Sequence, residues 1–202
     1  MIDVSRDGGL TVLTLNRPDK ANALTRDMLT ALADAVEAAS LDAETRAIVL
    51  TGAGKVFSAG ADLEAAKAGL AKDPVWERLS NAVAACPVLT IAALNGTAAG
   101  GALGMVLAAD MRVAASHTKT FYPVMALGFL PQPSDPIRMN ALAGRATTHR
   151  VLMCGEKLTA DMALSCGLID VISDDPLAEA RRLASAALSA TRDHVAAIKA
   201  MI

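Results

Sequence analysis

Two turns built from small residues carry the chemistry that this sequence could perform. The first is Phe57-Ser58-Ala59-Gly60-Ala61-Asp62-Leu63, and the second is Asn95-Gly96-Thr97-Ala98-Ala99-Gly100-Gly101-Ala102. Each follows an apolar, partly β-branched run and leads into a stretch with helical spacing. Glycine and alanine let another molecule approach the main chain, and the first N–H groups of a helix have no partner inside it. Two such N–H groups converging on one point would hold a negatively charged oxygen. The same glycines also suit close helix–strand packing, and spacing alone favours that plainer role.

Several other chemistries are excluded by the residues themselves. Gly52-Ala53-Gly54-Lys55 lacks the upstream glycine and the Ser/Thr of a phosphate-binding loop. The glycines at 96, 100, 101 and 104 do not fit a dinucleotide fingerprint. His117, His149 and His194 lack the close spacing of a metal site, and no serine follows a strand in a GxSxG elbow. A net charge of −2, no basic run and only five aromatic residues argue against nucleic acid as a partner. The three cysteines form no CxxC pair, which together with an N-terminus lacking an apolar signal core predicts a reducing, cytoplasmic setting.

The elements that must position the two turns are legible from periodicity. Leu10–Leu15 alternates as a strand, Asn16 to Asp19 reads as a turn, and Thr25 is placed to cap a helix with Met28, Leu29, Leu32 and Val36 on one face. Ala47–Thr51 and Val88–Ala92 read as buried strands, Met111–Ala114 and Leu168–Ile172 as two more. Helices are predicted over 62–71, from Asp73-Pro74 onward with Trp76, Leu79 and Val83 on one face, over 100–108, over 134–143 and 145–153 split by Gly144, over 159–165, and from Pro176 to the end with a break near Thr191. Cys86 to Ala109 carries no formal charge and is long enough to span a bilayer, but Pro87 and Asn95-Gly96 interrupt it, so a buried strand is preferred and no membrane association is expected. Strands and helices alternate throughout, which makes the class α/β.

The order of the motifs resembles the crotonase (enoyl-CoA hydratase/isomerase) superfamily. Leu15-Asn16-Arg17-Pro18 through Asn22-Ala23-Leu24 is similar to the family's LNRP…NAL segment. Val49 to Gly52 with Phe57 to Leu63 resembles its first oxyanion-loop motif, and Asn95-Gly96 through Gly100-Gly101 to Asp110 its second. Leu127-Gly128 with Pro131, Leu152 to Gly155 and Ala163 to Leu168 follow the later pattern, so the resemblance covers nearly the whole chain. It implies a spiral of ββα units, with a core over 1–175 and a shortened C-terminal helical segment over 176–202. It also implies an acyl-CoA ligand whose thioester oxygen lies between the backbone N–H groups of Ala61 and Gly101, with Lys20, Ala21, Ala59, Asp62 and Leu63 lining the CoA channel. No cofactor beyond the CoA moiety is implied. A homotrimer or hexamer is implied as well, though the chain stops where the family's further helices usually follow, which weakens that inference. Asp110 matches a family aspartate with a structural role.

The sequence departs from the family where protons are moved. Family hydratases use two glutamates, and the matching positions here are Gly104 and Val124; an acid that family isomerases carry is matched by Gln132. The polarising half of the site is therefore expected without the usual proton-transfer half. That favours isomerisation, thioester hydrolysis or decarboxylation over hydration, with a non-catalytic acyl-CoA binder or partner-dependent subunit as the alternative. Substitute acids or bases are sought among Tyr122, Gln132 and Asp135, and also His117, Ser134 and His149. Each has a plainer role open to it: Asp135 as a cap for the helix beginning near Pro136, Tyr122 as packing, His149 as an ordinary helix residue.

Overall fold

The computed structural model describes residues 1–202. In chain order the elements are β1 (Ile2–Asp7), β2 (Leu10–Leu15), α1 (Arg26–Leu41), β3 (Ala47–Gly52), β4 (Val56–Ser58), α2 (Leu63–Lys67), α3 (Val75–Ala84), β5 (Leu89–Leu94), β6 (Thr97–Ala99), α4 (Leu103–Ala108), β7 (Met111–Ala114), β8 (Lys119–Phe121), α5 (Val124–Leu127), α6 (Asp135–Leu152), β9 (Leu158–Thr159), α7 (Ala160–Ser165), β10 (Val171–Ile172), α8 (Pro176–Ser189) and α9 (Arg192–Lys199). Gly8 and Gly9, with φ of 55° and 90°, turn β1 back onto β2 as an antiparallel hairpin. Positive φ at both central residues is what a twisted two-residue hairpin needs.

The strands form two sheets. The larger has the order β1-β2-β3-β5-β7-β10, and from β2 onward its neighbours run parallel. The smaller has the order β4-β6-β8-β9, in which β4, β6 and β8 are parallel and β9 is antiparallel. Each turn of the chain contributes one long strand to the first sheet, then a short strand to the second, then helix. The pairs β3/β4, β5/β6 and β7/β8 repeat this ββα step, giving the expected spiral.

From β2 to β7 both faces of the large sheet are covered, which explains why those strands read as nearly continuous apolar runs, whereas the edge strand β1 is exposed apart from Ile2. Side chains alternate across the pleat. Leu13, Leu15, Ile48, Leu50, Ala92 and Leu94 face the main core with α1, α3 and α4, while Leu10, Val12, Ala47, Val49, Ile91 and Ala93 face Ala180 and Ala184 of α8. Two alanines four residues apart on one helix let α8 lie close on the sheet.

Local signals account for most element ends. The Thr25 hydroxyl accepts from Met28 N and caps α1, and the Thr159 hydroxyl does the same for α7 at Met162 N. The two helices expected on either side of Gly144 run on from one another in α6, with non-helical backbone at that glycine. Several expectations need correction. The helix expected over 62–71 is α2 followed by a 3-10 turn (Leu70–Lys72), broken at Gly69 with φ of 108°. The one expected over 100–108 begins as a 3-10 turn (Gly100–Ala102) before α4. The last strand is only Val171–Ile172, because Leu168 and Ile169 donate their amides to Ala163 O at the end of α7. The apolar stretch from Cys86 to Ala109 is divided among β5, β6 and α4, and no helix is long and apolar enough to cross a membrane.

Candidate active site

The site begins at Asn22, which is fully buried with φ of 52°. Its Nδ2 donates to Ala53 O at 2.9 Å and Val56 O at 2.7 Å, and its Oδ1 accepts from Arg17 N at 2.9 Å. Ser58 Oγ donates to Asn22 O at 2.8 Å, and Ala59 N to Ala21 O at 2.9 Å. One buried amide thus ties the segment after β2 to the loop before β4 and to the turn that follows it. An asparagine tolerates the left-handed backbone better than most residues.

The turn after β4 is then held by a single parallel bridge between Leu24 and Ala61. Leu24 N donates to Gly60 O at 2.8 Å, and Asp62 N donates to Leu24 O at 2.9 Å. In this pattern the flanking residues do the pairing, so the N–H of Ala61 points away from Leu24. It donates to no other backbone carbonyl in the loops and turns. Gly101 lies in the 3-10 turn after β6, too near its start for its amide to pair within that turn.

The two turns meet backbone to backbone. A Cβ added at Gly60, whose φ is 91°, would lie 2.7 Å from Ala99 O and 3.4 Å from Gly100 Cα. A Cβ added at Gly100 would lie 3.8 Å from Gly60 Cα. Any side chain at Gly60 would therefore push the turns apart. Behind the second turn stands Trp76 of α3, three of whose ring atoms lie 3.0–3.1 Å from a Cβ built on Gly101. The ring is itself fixed, since Trp76 Nε1 donates to Leu70 O at 2.8 Å.

These turns wall a cavity of about 260 Å³. Ala59, Ala61, Gly100 and Gly101 line one side, and Trp76, Tyr122, Val124, Leu127, Phe129, Leu130 and Gln132 lie among the other lining residues. A more open depression lined by Lys20, Ala23, Asp62 and Glu64 shares Ala59, Ala61 and Leu63 with it, so the two adjoin. Of the residues expected to line a channel, Lys20, Ala59, Asp62 and Leu63 border one or both spaces, and Ala21 supports Ala59 from beneath. Asp62 is already committed: its carboxylate caps α2 at Glu64 N and Ala65 N and pairs with Arg17 at 2.8 Å. The Arg17 guanidinium, aided by the two amides, holds that carboxyl below its ordinary range.

The candidate acids and bases separate clearly. Tyr122 and Gln132 line the cavity, with Gln132 Nε2 donating to Ala71 O at 3.2 Å. His117 and His149 are exposed and border neither space, and Ser134 Oγ donates to Glu77 Oε1 at 2.9 Å. Asp135 does not cap α6, because the cap position is Ser134 and the Asp135 carboxylate turns inward. The residue is fully buried, and its Oδ2 accepts from the Tyr122 hydroxyl at 2.9 Å. Its Oδ1 has no partner and lies 3.0 Å from a Cβ built on Gly104. Burial pushes the Asp135 carboxyl up to about 7, against the opposing pull of the Tyr122 hydrogen bond. Burial, then the Asp135 charge, also raises the Tyr122 phenol.

Sequence reasoning passed over three features of this site. Asn22 was visible only as part of a motif, Trp76 only as a helix-face residue, and Gly104 only as a position without a side chain. The Pro18-to-Asn22 turn signal could have pointed to the first. Nothing local pairs Gly104 with Asp135. Asp110 is structural as expected: its Oδ2 accepts from Thr90 N, Thr90 Oγ1 and Lys199 Nζ.

Comparison with known proteins places these features in context. Residues 5–202 match the family model described as enoyl-CoA hydratase/isomerase. The chain is 36% identical over 203 residues to a probable enoyl-CoA hydratase of Mycobacterium tuberculosis, covering 98% of this chain and 79% of that protein. It is 35% identical over 191 residues to the 2,3-dehydroadipyl-CoA hydratase of Escherichia coli, covering 90% and 73% respectively. A crystal structure of an enoyl-CoA hydratase/isomerase from Pseudoalteromonas atlantica superimposes with a TM-score of 0.91 at 31% identity, over 99% of this chain and 81% of that one.

Proposed function

The chain belongs to the enoyl-CoA hydratase/isomerase family, and from that premise we propose that it binds an acyl-CoA thioester with the thioester oxygen between the amides of Ala61 and Gly101. The observation that carries this reading is the direct contact of the two glycine turns at Gly60 and Gly100, with both amide-bearing residues on one cavity wall. The acyl end occupies the apolar cavity, and the CoA arm leaves through the adjoining depression past Leu63 and Lys20. A cavity of about 260 Å³ is smaller than sites that enclose a drug-sized ligand, so it suits an acyl group rather than the whole thioester.

Such an arrangement stabilises the charge that collects on the thioester oxygen of an enolate or tetrahedral intermediate. One preorganised donor is worth about 3–4 kcal/mol in the transition state. Hydration needs more, because a group must take a proton from water and another must deliver one to carbon. The cavity wall offers valine at 124, and Gly104 has no side chain, so neither position carries a carboxyl group. We therefore favour isomerisation, thioester hydrolysis or decarboxylation. Decarboxylation asks least of the protein, since loss of CO₂ itself generates the enolate.

The test is a panel of acyl-CoA thioesters followed by mass spectrometry. Gly101→Pro removes one amide hydrogen but also sets a side chain against Trp76, so Gly101→Ala, which meets the same ring and keeps the amide, is its control; turnover in the proline variant should fall about 10²–10³-fold below that of the alanine variant. Equal turnover in the two variants would refute the oxyanion assignment. Hydration of crotonyl-CoA as the dominant reaction would refute the preference against hydration.

A further inference from the structure

Tyr122 and Asp135 form a buried pair that thioester polarisation does not require. Tyr122 stands on the cavity wall beyond the end of β8, with its hydroxyl directed at Asp135 Oδ2. The same hydroxyl lies 3.5 Å from Gln132 N, its only other polar contact. Asp135 has no exposed surface, and its Oδ1 finds no donor. A buried acceptor left unpaired costs about 1–3 kcal/mol, more for a charged group. Holding a tyrosine in place does not need an ionisable group, because an uncharged acceptor would take the same hydrogen bond without the further cost of a buried charge. The helix α4 accommodates the carboxyl by presenting Gly104, where any Cβ would meet Oδ1 at 3.0 Å. An ionisable group kept in such surroundings, one hydrogen bond behind a side chain that lines the cavity, is a candidate for handling protons there.

We propose that Tyr122 and Asp135 are the proton-transfer pair of this site, exchanging one proton with the α-carbon of a bound thioester. The proposal rests on the acyl-CoA reading above. In the forward step Asp135 Oδ2 takes the phenolic proton as the Tyr122 oxygen takes the proton of the α C–H bond. The electron pair of that bond becomes the enolate double bond, and the charge moves to the thioester oxygen between Ala61 and Gly101. In the reverse step the phenol protonates the α-carbon and recovers a proton from the Asp135 carboxylic acid. No oxidant or further reactant is needed. Tyr122 is the catalytic residue. Asp135 does not touch the ligand and acts through Tyr122, as a positioning and proton-accepting residue.

The charged groups that bear on Asp135 are few. Glu77 approaches from α3 and raises its carboxyl, and Arg138 on α6 lowers it. Tyr122 is the titratable group in direct contact, and α4 contributes only the uncharged Gly104. Burial dominates this balance. The pair therefore loses its acid form around neutrality, and the exchange rate should inflect there.

The experiment is α-deuterium incorporation into butyryl-CoA in D₂O, read by mass spectrometry, with binding read separately by calorimetry on the full chain. The parent protein should incorporate deuterium above the rate without protein, with an inflection near pH 7. Tyr122→Phe and Asp135→Asn should each reduce exchange by about 10²-fold or more, with the dissociation constant within about threefold of the parent. Exchange in Tyr122→Phe at the parent rate, or an unchanged inflection in Asp135→Asn, would overturn the proposal. If Asp135→Asn does not fold, Tyr122→Phe decides the question alone. Binding without exchange in the parent would overturn the proton-transfer pair and leave the thioester site standing, whereas no binding would remove the thioester site and the proposal with it.

Discussion

A carboxyl group sealed from water is stable in its neutral form, and Asp135 therefore couples the fold to pH. Its folded-state value of about 7 stands above the ordinary 3.8 of the unfolded chain. Between those values the folded protein holds a proton that the unfolded chain has released, so protons favour folding and stability falls as pH rises toward 7. A shift of this size corresponds to roughly 4 kcal/mol across the whole interval. Asp135→Asn cannot ionise, so it should gain on the parent protein as pH is raised from 5 to 8. Urea unfolding at both pH values measures this, and an identical gap between variant and parent at the two would rule out a buried, titrating Asp135. A plain helix cap would behave in the opposite sense, since a cap is strengthened by ionisation.

At the scale of elements, the far edge of the large sheet depends on a charge pair more than on its ladder. The strand β10 contributes only two residues, Val171 and Ile172. Just before it, Asp170 Oδ2 lies 2.7 Å from Arg112 Nη2 and also accepts from Arg112 N at 2.7 Å, while Asp170 N donates to Arg112 O at 2.9 Å. Arg112 is buried in β7, and its remaining contact is Nη1 to Ala109 O at 2.7 Å. Asp170→Ala would leave a guanidinium charge enclosed without its partner, a change that typically costs about 3–5 kcal/mol. The double variant Asp170→Ala with Arg112→Met should be less destabilised than Asp170→Ala alone, because both charges are then absent. Chemical denaturation of the three proteins checks this, and a single variant within about 0.5 kcal/mol of the parent would show that the pair does not hold the edge.

For the molecule as a whole, the same packing that makes the cavity also sets what it prefers. The walls are largely apolar, and Lys67 is the one charged side chain among its lining residues, already 3.3 Å from Glu64. Leu63, Met125, Leu127 and Leu130 are exposed, and all but Met125 line the cavity, so the apolar character continues outward. Under the proposed function, saturated acyl-CoA thioesters should bind about fourfold more tightly per added methylene until the cavity is filled, at ~0.8 kcal/mol for each buried CH₂. Calorimetry across a chain-length series tests this. Equal affinity for an acyl group ending in a carboxylate would contradict it, because such a group would be desolvated against apolar walls, with only the exposed Lys67 at the rim to meet it.

The sequence by itself determined most of the longer strands and helices, the cap at Thr25, and the two small-residue turns, because these depend on periodicity and on hydrogen bonds a few residues long. It was silent on β4, β6 and β8, whose three residues each are too short to show alternation, although these strands carry or follow the turns that matter. It left Asp135 open between a helix cap and an acid or base, since a helix-start aspartate looks the same whether its carboxyl faces water or the interior. Only the tertiary structure brought Gly60 against Gly100 and Gly104 against Asp135. Those contacts join residues far apart in the chain, and they exist because the spiral stacks successive ββα units closely enough that a missing side chain in one becomes space for the backbone or carboxyl of another.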